Sequence, residues 1–357
     1  MVALADPQAG RDYPGTYGEF LAWFADDGAC LDYLDWLRWP GGFHCPTCGG
    51  DHAWRMGDHR WWCEDCRRRV SATAGTIFHR TRTPLTVWFA AAWQMTASKN
   101  GMSAAALQRQ MGFGSYQSAW AMLHRLRACM VIPGRDRLTG TVELDETFIG
   151  GVRAGPGGRG ALEKTLVAIA VEQHAPKGLG RCRLGVIPDA SSSALLDFAQ
   201  DNIAPGANLV TDGWPSYVAV ASQGGYEQLP ISLRGSGTLA HIALPGVHRI
   251  ASLLKRWLLG THQGAVEGDH LQAYLDEFTF RFNRRTAKRR ELLFYRLLQQ
   301  AIEAEPHTYA SLVAKPVSKR VSPMPLNGSR RRHGPASLAL VVDSHPWRLP
   351  ASAGGRR

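Results

Sequence analysis

The sequence predicts an α/β protein in which a mixed sheet with flanking helices follows a small cysteine module and a pair of short helices. Three observations carry this expectation. Two Cys-x-x-Cys pairs stand close together near the start, and a helix, glycine turn, helix pattern follows them. Between residues 139 and 304, strand-like runs then give way to helical ones.

Residues 1–40 read as helical, with Glu19-Phe-Leu-Ala-Trp-Phe24 and Cys30-Leu-Asp-Tyr-Leu-Asp-Trp-Leu37 stopped by Pro40-Gly-Gly42. Residues 41–80 hold the cysteine module. Residues 84–133 are helical, broken at Lys99-Asn-Gly-Met102 and at Gly112-Phe-Gly114, and Pro133-Gly134 marks a boundary. The region 139–304 opens with three strand-like runs, Thr139–Ile149, Thr165–Glu172 and Arg181–Ile187. Ser191 to Ile203 fits a capped helix, Asn208–Asp212 a short buried strand, and Leu244 onward is mostly helical. Residues 305–357 shift to Pro, Ser, Arg and Gly, with Arg330-Arg-Arg332 and Arg356-Arg357. They read as a basic, partly disordered tail, with a DNA contact or a plain solvated segment as its two readings.

The net charge of +11 favours a polyanionic partner, although excess arginine alone supports nucleic acid only weakly. No apolar run is long enough to span a bilayer, and Met1 to Arg11 lacks the layout of a secretion signal, so a reduced, cytoplasmic setting with no membrane partner is expected. Seven cysteines, four of them in two tight pairs, suit metal ligation better than a disulfide framework.

Cys45-Pro-Thr-Cys48 and Cys63-Glu-Asp-Cys66, fourteen residues apart, have the spacing of two knuckles closing on one tetrahedral zinc. Four sulfurs leave no position for water, so this zinc is expected to be structural. Trp54, Arg60, Trp61 and Trp62 are strand-like, as in a zinc ribbon; His44, His52, His59 and His79 read as surface residues. Arg67, Arg68 and Arg69 are candidate phosphate contacts, with a solvated charged turn as the alternative.

Gly101 to Met111, capped by Ser103, and Ser115 to Arg127 read as two helices joined at Gly112-Phe-Gly114, the layout of a helix-turn-helix. Tyr116, Gln117, His124, Arg125 and Arg127 are its candidate DNA-facing residues; Leu107, Met111, Ala119, Met122, Leu123 and Leu126 read as core. A plain helical hairpin produces the same pattern.

Asp145 sits inside an apolar strand and Asp212 ends another. Carboxylates are uncommon in buried strands unless they bind something, and two on adjacent strands can share divalent ions for phosphoryl transfer. Strand alternation puts Glu143 on the face of Asp145 and Glu146 on the other, which leaves Glu143 open as a competitor. Capping of a neighbouring helix or turn is the alternative for either aspartate.

Four segments resemble the motifs of a bacterial insertion-sequence transposase family: Glu143-Leu-Asp-Glu-Thr-Phe-Ile-Gly-Gly151, Thr211-Asp-Gly-Trp-Pro-Ser-Tyr217, His248-Arg-Ile-Ala-Ser-Leu-Leu-Lys255 and Leu271 to Arg285. The resemblance covers about residues 15–300, with the motifs in the family's order. It implies a ribonuclease-H-like catalytic domain of the DDE class behind a zinc ribbon and a helix-turn-helix. It also implies that Asp145 and Asp212 are the first two catalytic carboxylates. The family's third acidic position, seven residues before a lysine, falls on His248, seven before Lys255. On a helix that spacing puts both side chains on one face. A neutral imidazole can ligate a divalent ion, favours Mn²⁺ over Mg²⁺ relative to a carboxylate, and stops ligating when protonated. A general base or a decayed copy are the other readings of His248. Lys255 is expected to hold a phosphate of the DNA end, beside Arg256; Arg281, Asn283, Arg284 and Arg285 are expected to contact DNA or support the fold.

The function so implied is transposition in the bacterial cytoplasm at the nucleoid: recognition of terminal inverted repeats, cleavage assisted by Mg²⁺ or Mn²⁺, and strand transfer to target DNA by a homo-oligomer. A binding-only regulator that has lost activity, and a nuclease of the same fold without strand transfer, are the alternatives.

Overall fold

The computed structural model describes residues 6–150, 164–174, 178–230, 244–264, 266 and 268–314. The chain divides into two compact units, Met1–Trp93 with Phe294–Arg357, and Gln94–Leu293. The expected tail lies outside the described residues from position 315 onward, as does Gly151.

In the first unit, α1 (Tyr17–Trp23) and α2 (Asp27–Arg38) begin at Thr16 and Asp26, whose side chains accept the N–H groups of Glu19 and Ala29. Their apolar faces meet α3 (Leu85–Ala97) and the helix Glu291–Glu303, here α10, in an aromatic core. Ring centroids of Phe24 and Phe89 lie 4.7 Å apart, and Phe20 is 5.7 Å from Phe294. The helix around Phe294 therefore packs with the N-terminal helices. Three short antiparallel strands, β1 (Ala53–Arg55), β2 (Trp61–Cys63) and β3 (Arg68–Val70), form the sheet of the cysteine module. One of its faces rests on α2, where Asp35 accepts the Trp61 indole N–H at 2.5 Å and Asp32 accepts Arg55.

The second unit opens with α4 (Ala104–Met111) and α5 (Tyr116–Ala128), capped by Ser103 and Ser115 as their spacing predicts. Gly112 ends α4 with φ +67°, a left-handed conformation that glycine adopts without steric cost. Both helices belong to the same compact unit as the sheet. That sheet comprises β4 (Thr141–Ile149), β5 (Thr165–Gln173), β6 (Leu179–Ile187), β7 (Asn208–Thr211) and β8 (Glu227–Pro230), in the order β6-β5-β4-β7-β8. The first three are mutually antiparallel, whereas β7 runs parallel to β4 and β8 to β7, the mixed ribonuclease-H-like arrangement expected. Helices α6 (Ser192–Asn202) and α7 (Pro215–Gly224) cover one face; α8 (Pro245–His262) and α9 (Leu271–Asn283) cover the other. Helix α7, which has Pro215 in its first turn, and the four-residue strand β8 were not anticipated.

Alternation along β4 decides which face carries the polar residues. Val142 and Leu144 join the core under α6 and α7, so Glu143, Asp145, Thr147 and Ile149 face α8 and α9. Side chains of α9 finish the edge of β6. Gln272 accepts the Val186 N–H at 2.9 Å, and Asn283 both accepts the Cys182 N–H at 2.7 Å and donates to its carbonyl at 3.1 Å. Arg285 donates to the carbonyls of Gly180 and Leu179. These contacts pair backbone groups that a bare edge strand would offer to another chain.

Candidate active site and zinc centre

The two knuckles are built alike. The Gly49 N–H closes back on the Cys45 carbonyl at 2.8 Å, and the residue after each second cysteine turns left-handed, Gly49 at φ +77° and Arg67 at φ +55°. This brings the sulfurs of Cys45, Cys48, Cys63 and Cys66 all within 4.8 Å of one another. Cys45 Sγ lies 3.6 Å from Cys66 Sγ, and Cys48 Sγ 3.6 Å from Cys63 Sγ. A tetrahedral ion with Zn–S bonds of about 2.3 Å requires sulfurs about 3.8 Å apart, so the quartet fits structural zinc. The module's small core, Phe43, Cys45, Cys63 and Val70, buries two of the ligands. Arg67, Arg68 and Arg69 are all exposed beside it. Of the nearby histidines, His59 is held by Asp32 at 2.8 Å and His79 accepts the Gly75 N–H at 3.0 Å.

In the second unit, the parallel register of β4 and β7 pairs Thr141 with Asn208, Val142 with Leu209 and Glu143 with Val210. Continued two residues further, the same offset would set Asp145, midway along β4, opposite Asp212, just past the end of β7, with neighbouring strands some 4.8 Å apart. Both aspartates are half-buried. Asp145 Oδ1 accepts the Glu146 N–H at 2.8 Å, and Asp212 Oδ1 accepts the Trp214 N–H at 3.0 Å, so Asp212 also caps the turn into α7. Glu146 points to the opposite face and accepts the Tyr217 hydroxyl at 2.6 Å.

Glu143 has a different task from its neighbours. It is fully buried, and its Oε2 accepts the Val247 N–H at 2.7 Å at the start of α8. No local side chain caps that helix, so a carboxylate from a distant strand does so. Burial pushes the Glu143 carboxyl up, against the pull of the Val247, Gln173 and Gly246 donors. Gly246 leaves the necessary room, since a Cβ there would stand 2.7 Å from Glu143 Oε2. Two turns along α8, Lys255 Nζ donates to Thr147 Oγ1 at 2.9 Å, and burial lowers its pKa, with Lys164 adding to the effect. Helix α8 is thus tied to β4 on both sides of Asp145, and it carries the half-buried His248 over the same sheet face. Thr147 and Gln173 were not singled out in the sequence; counting by twos from Glu143 finds Thr147, and nothing local marks Gln173. Among the described residues, the cysteine quartet is the group of three or more ligand-type side chains gathered this closely; Asp145, Asp212 and His248 are not drawn so near one another.

Of the candidate DNA contacts, Arg127, His124 and Arg281 prove to be internal, whereas Arg284 is half-buried and Arg285 exposed. Arg127 is 1 % exposed, and its Nε donates to the buried Glu277 at 2.9 Å. His124 is buried and stacks on Trp120 at 4.0 Å between centroids; burial, reinforced by Arg127, lowers its pKa to about 2. Arg281 is buried and donates to the carbonyls of Met95, Ser98 and Lys99. Arg284 lies 4.1 Å over the Phe280 ring, and Arg285 holds the β6 edge while 3.9 Å over Phe282. Apolar spacing along α5 and α9 could not reveal these partners, because each comes from a remote segment. Tyr116 and Gln117 are exposed, Arg125 is half-buried, and Lys255 and Arg256 are exposed.

Residues 137–283 match the family model of the ISXO2-like transposase domain, and residues 25–69 that of the transposase zinc-ribbon domain. The chain belongs to the insertion-sequence transposases with an N-terminal zinc ribbon. No curated protein matches it. The transposase-domain match runs from just before β4 to the end of α9, and so includes Asp145, Asp212, His248 and Lys255. The zinc-ribbon match begins just ahead of α2, the helix on which the transposase's three-stranded sheet rests. No helix among the described residues is long and apolar enough to cross a membrane.

Proposed function

We propose that this transposase recognises terminal inverted repeats and catalyses divalent-metal-dependent cleavage and strand transfer at a site formed by Asp145, Asp212 and His248. The observation that carries this reading is the register that sets Asp145 opposite Asp212, beneath the helix bearing His248 and Lys255. Two carboxylates on adjacent strands, one midway along β4 and one just past the end of β7, suit a hard cation such as Mg²⁺ or Mn²⁺. When bound there, such an ion supplies an activated water and stabilises the leaving oxygen of an in-line displacement. Asp145 and Asp212 provide its negative charge, and His248 adds a neutral nitrogen. Lys255, steered by Thr147, holds a phosphate of the DNA end. Glu143 acts at one remove, by fixing where α8 begins.

Recognition of the ends is assigned to the zinc ribbon, through Arg67, Arg68 and Arg69, and to α4 and α5 acting as a helix-turn-helix, through Tyr116, Gln117 and Arg125. Bringing two ends together requires at least a dimer on DNA.

The test is an assay of labelled inverted-repeat DNA with Mn²⁺ and with Mg²⁺. Cleavage followed by joining is the expected result, and Asp145→Ala and Asp212→Ala abolish both steps. Cleavage without joining identifies a nuclease, and binding alone a regulator. A joining-competent Asp145→Ala or Asp212→Ala protein refutes the proposed site.

A further inference from the structure

The sheet of the zinc module has two faces of opposite character. On one, Trp61 and Val70 join the module core, and Trp61 and Arg55 are held by Asp35 and Asp32 of α2. Alternation sends Trp54, Trp62 and Arg69 to the other face. They stand in one row across the three strands, because the register pairs Trp54 with Trp62 and Trp62 with Arg69. The two indoles lie 6.0 Å apart at an interplanar angle of 32°. Trp54 is 51 % exposed, Trp62 is half-buried and Arg69 is exposed. Among the described residues, the guanidinium groups of Arg67, Arg68 and Arg69 have no hydrogen-bond or ion-pair partner.

We propose that this face binds unpaired nucleotides of a DNA strand, with bases stacked on Trp54 and Trp62 and phosphates held by Arg69 and Arg67. The chemistry separates this from duplex binding. A duplex hides the faces of its bases in the stack and offers only edges and phosphates, which arginines read without help from indoles. Unpaired bases expose their π faces, and exposed aromatic rings beside a cationic track are what a single strand requires. Three strands spaced about 4.8 Å give a row about 10 Å across, enough to seat neighbouring nucleotides. The inference rests on the reading of the ribbon as a DNA-contacting module, and it specifies which state of the DNA that module contacts.

The experiment uses the full-length, zinc-loaded protein and fluorescence anisotropy. The probes are a labelled oligothymidylate of roughly 12 nucleotides, within the range of known single-strand site sizes, and a duplex of the same length. Trp54→Ala and Trp62→Ala are each expected to weaken single-strand binding by about 5- to 150-fold while leaving duplex affinity in place. Trp54→Phe keeps most of the affinity. Arg69→Ala lowers the slope of log K against log salt by about 0.7 on the single strand. Zinc content and thermal midpoint confirm that each variant is folded, which the exposure of Trp54 favours.

Three results overturn the proposal: wild-type single-strand affinity in folded Trp54→Ala, an equal loss on duplex, or loss of self-association in that variant with single-strand affinity unchanged, which would give the face to a second copy. End joining is measured in parallel. A protein that joins ends but binds oligothymidylate independently of Trp54 refutes this inference alone. Trp54-dependent binding by a protein that neither cleaves nor joins refutes the proposed function and leaves the inference standing.

Discussion

Replacing Arg127 by alanine separates a structural from a DNA-reading role for α5. The guanidinium is 1 % exposed, donates to a fully buried Glu277 at 2.9 Å, and lies 4.1 Å over the Tyr274 ring. Removing one partner of a buried ion pair costs about 3–5 kcal/mol, because the remaining charge keeps its desolvation penalty. Arg281 Nη1, 3.9 Å from Glu277, makes no hydrogen bond to it but remains as a buried ion-pair partner, which places the loss towards the lower end of that range. For a unit of about 200 residues, each kcal/mol moves the midpoint by about 2–4 °C, so calorimetry should show a fall of roughly 6–20 °C. The salt dependence of DNA binding, measured well below the new midpoint, should keep its slope, whereas loss of a phosphate contact lowers it by about 0.9. Arg127→Met with Glu277→Leu removes that hydrogen-bonded pair and should recover part of the loss, the recovery being limited by Arg281, which loses its buried ion-pair partner but retains its carbonyl partners Ser98 and Lys99. An unchanged midpoint together with a slope reduced by about one unit would refute the reasoning and return Arg127 to the DNA interface.

Glu143→Ala leaves the Val247 and Gly246 N–H groups without their carboxylate acceptor, and should cost about 2–4 kcal/mol in chemical denaturation. Gly246→Ala should cost a similar amount by crowding Glu143, and the double variant less than the sum, since the vacated space takes the new methyl group. Cys45→Ser should drop bound zinc from one equivalent to near none by metal analysis and unfold the ribbon, leaving the Gln94–Leu293 unit's thermal transition in place. The fourth expectation concerns acid. Burial holds the His124 pKa at about 2, so below about pH 6.5 the unfolded chain takes up a proton there that the folded chain refuses. Stability therefore falls by about 1.4 kcal/mol per pH unit from this residue as pH drops from about 6.5 towards 3, and His124→Phe should flatten that slope in denaturation curves at several pH values.

The zinc quartet was legible because both knuckles are local: spacing alone brings each sulfur pair to one side of a turn. The strands β4, β5, β6 and β7 were legible from apolar runs, and alternation correctly assigned Glu143 and Glu146 to opposite faces. Sequence could not tell that Glu143 caps a helix 104 positions away, because the partner is a backbone N–H that any residue would supply. The same limit put Arg127 among the DNA-facing candidates and left Arg281 and Arg285 open between DNA contact and support of the fold. An arginine in a helix reads as a surface cation until the remote carboxylate or carbonyl that neutralises it is known, and Glu277, Ser98 and Gly180 lie far away along the chain. Helix α8 shows the converse: its start was expected near Leu244, but its tie to β4 became visible only once strand and helix were assembled.

That tie has a consequence for how the site can diversify. Helix α8, and with it the place of residue 248, is anchored through Glu143 at the helix start and Lys255 on Thr147. Under the proposed chemistry, a helix so anchored lets metal preference be tuned at one position: His248→Glu should move the optimum from Mn²⁺ towards Mg²⁺.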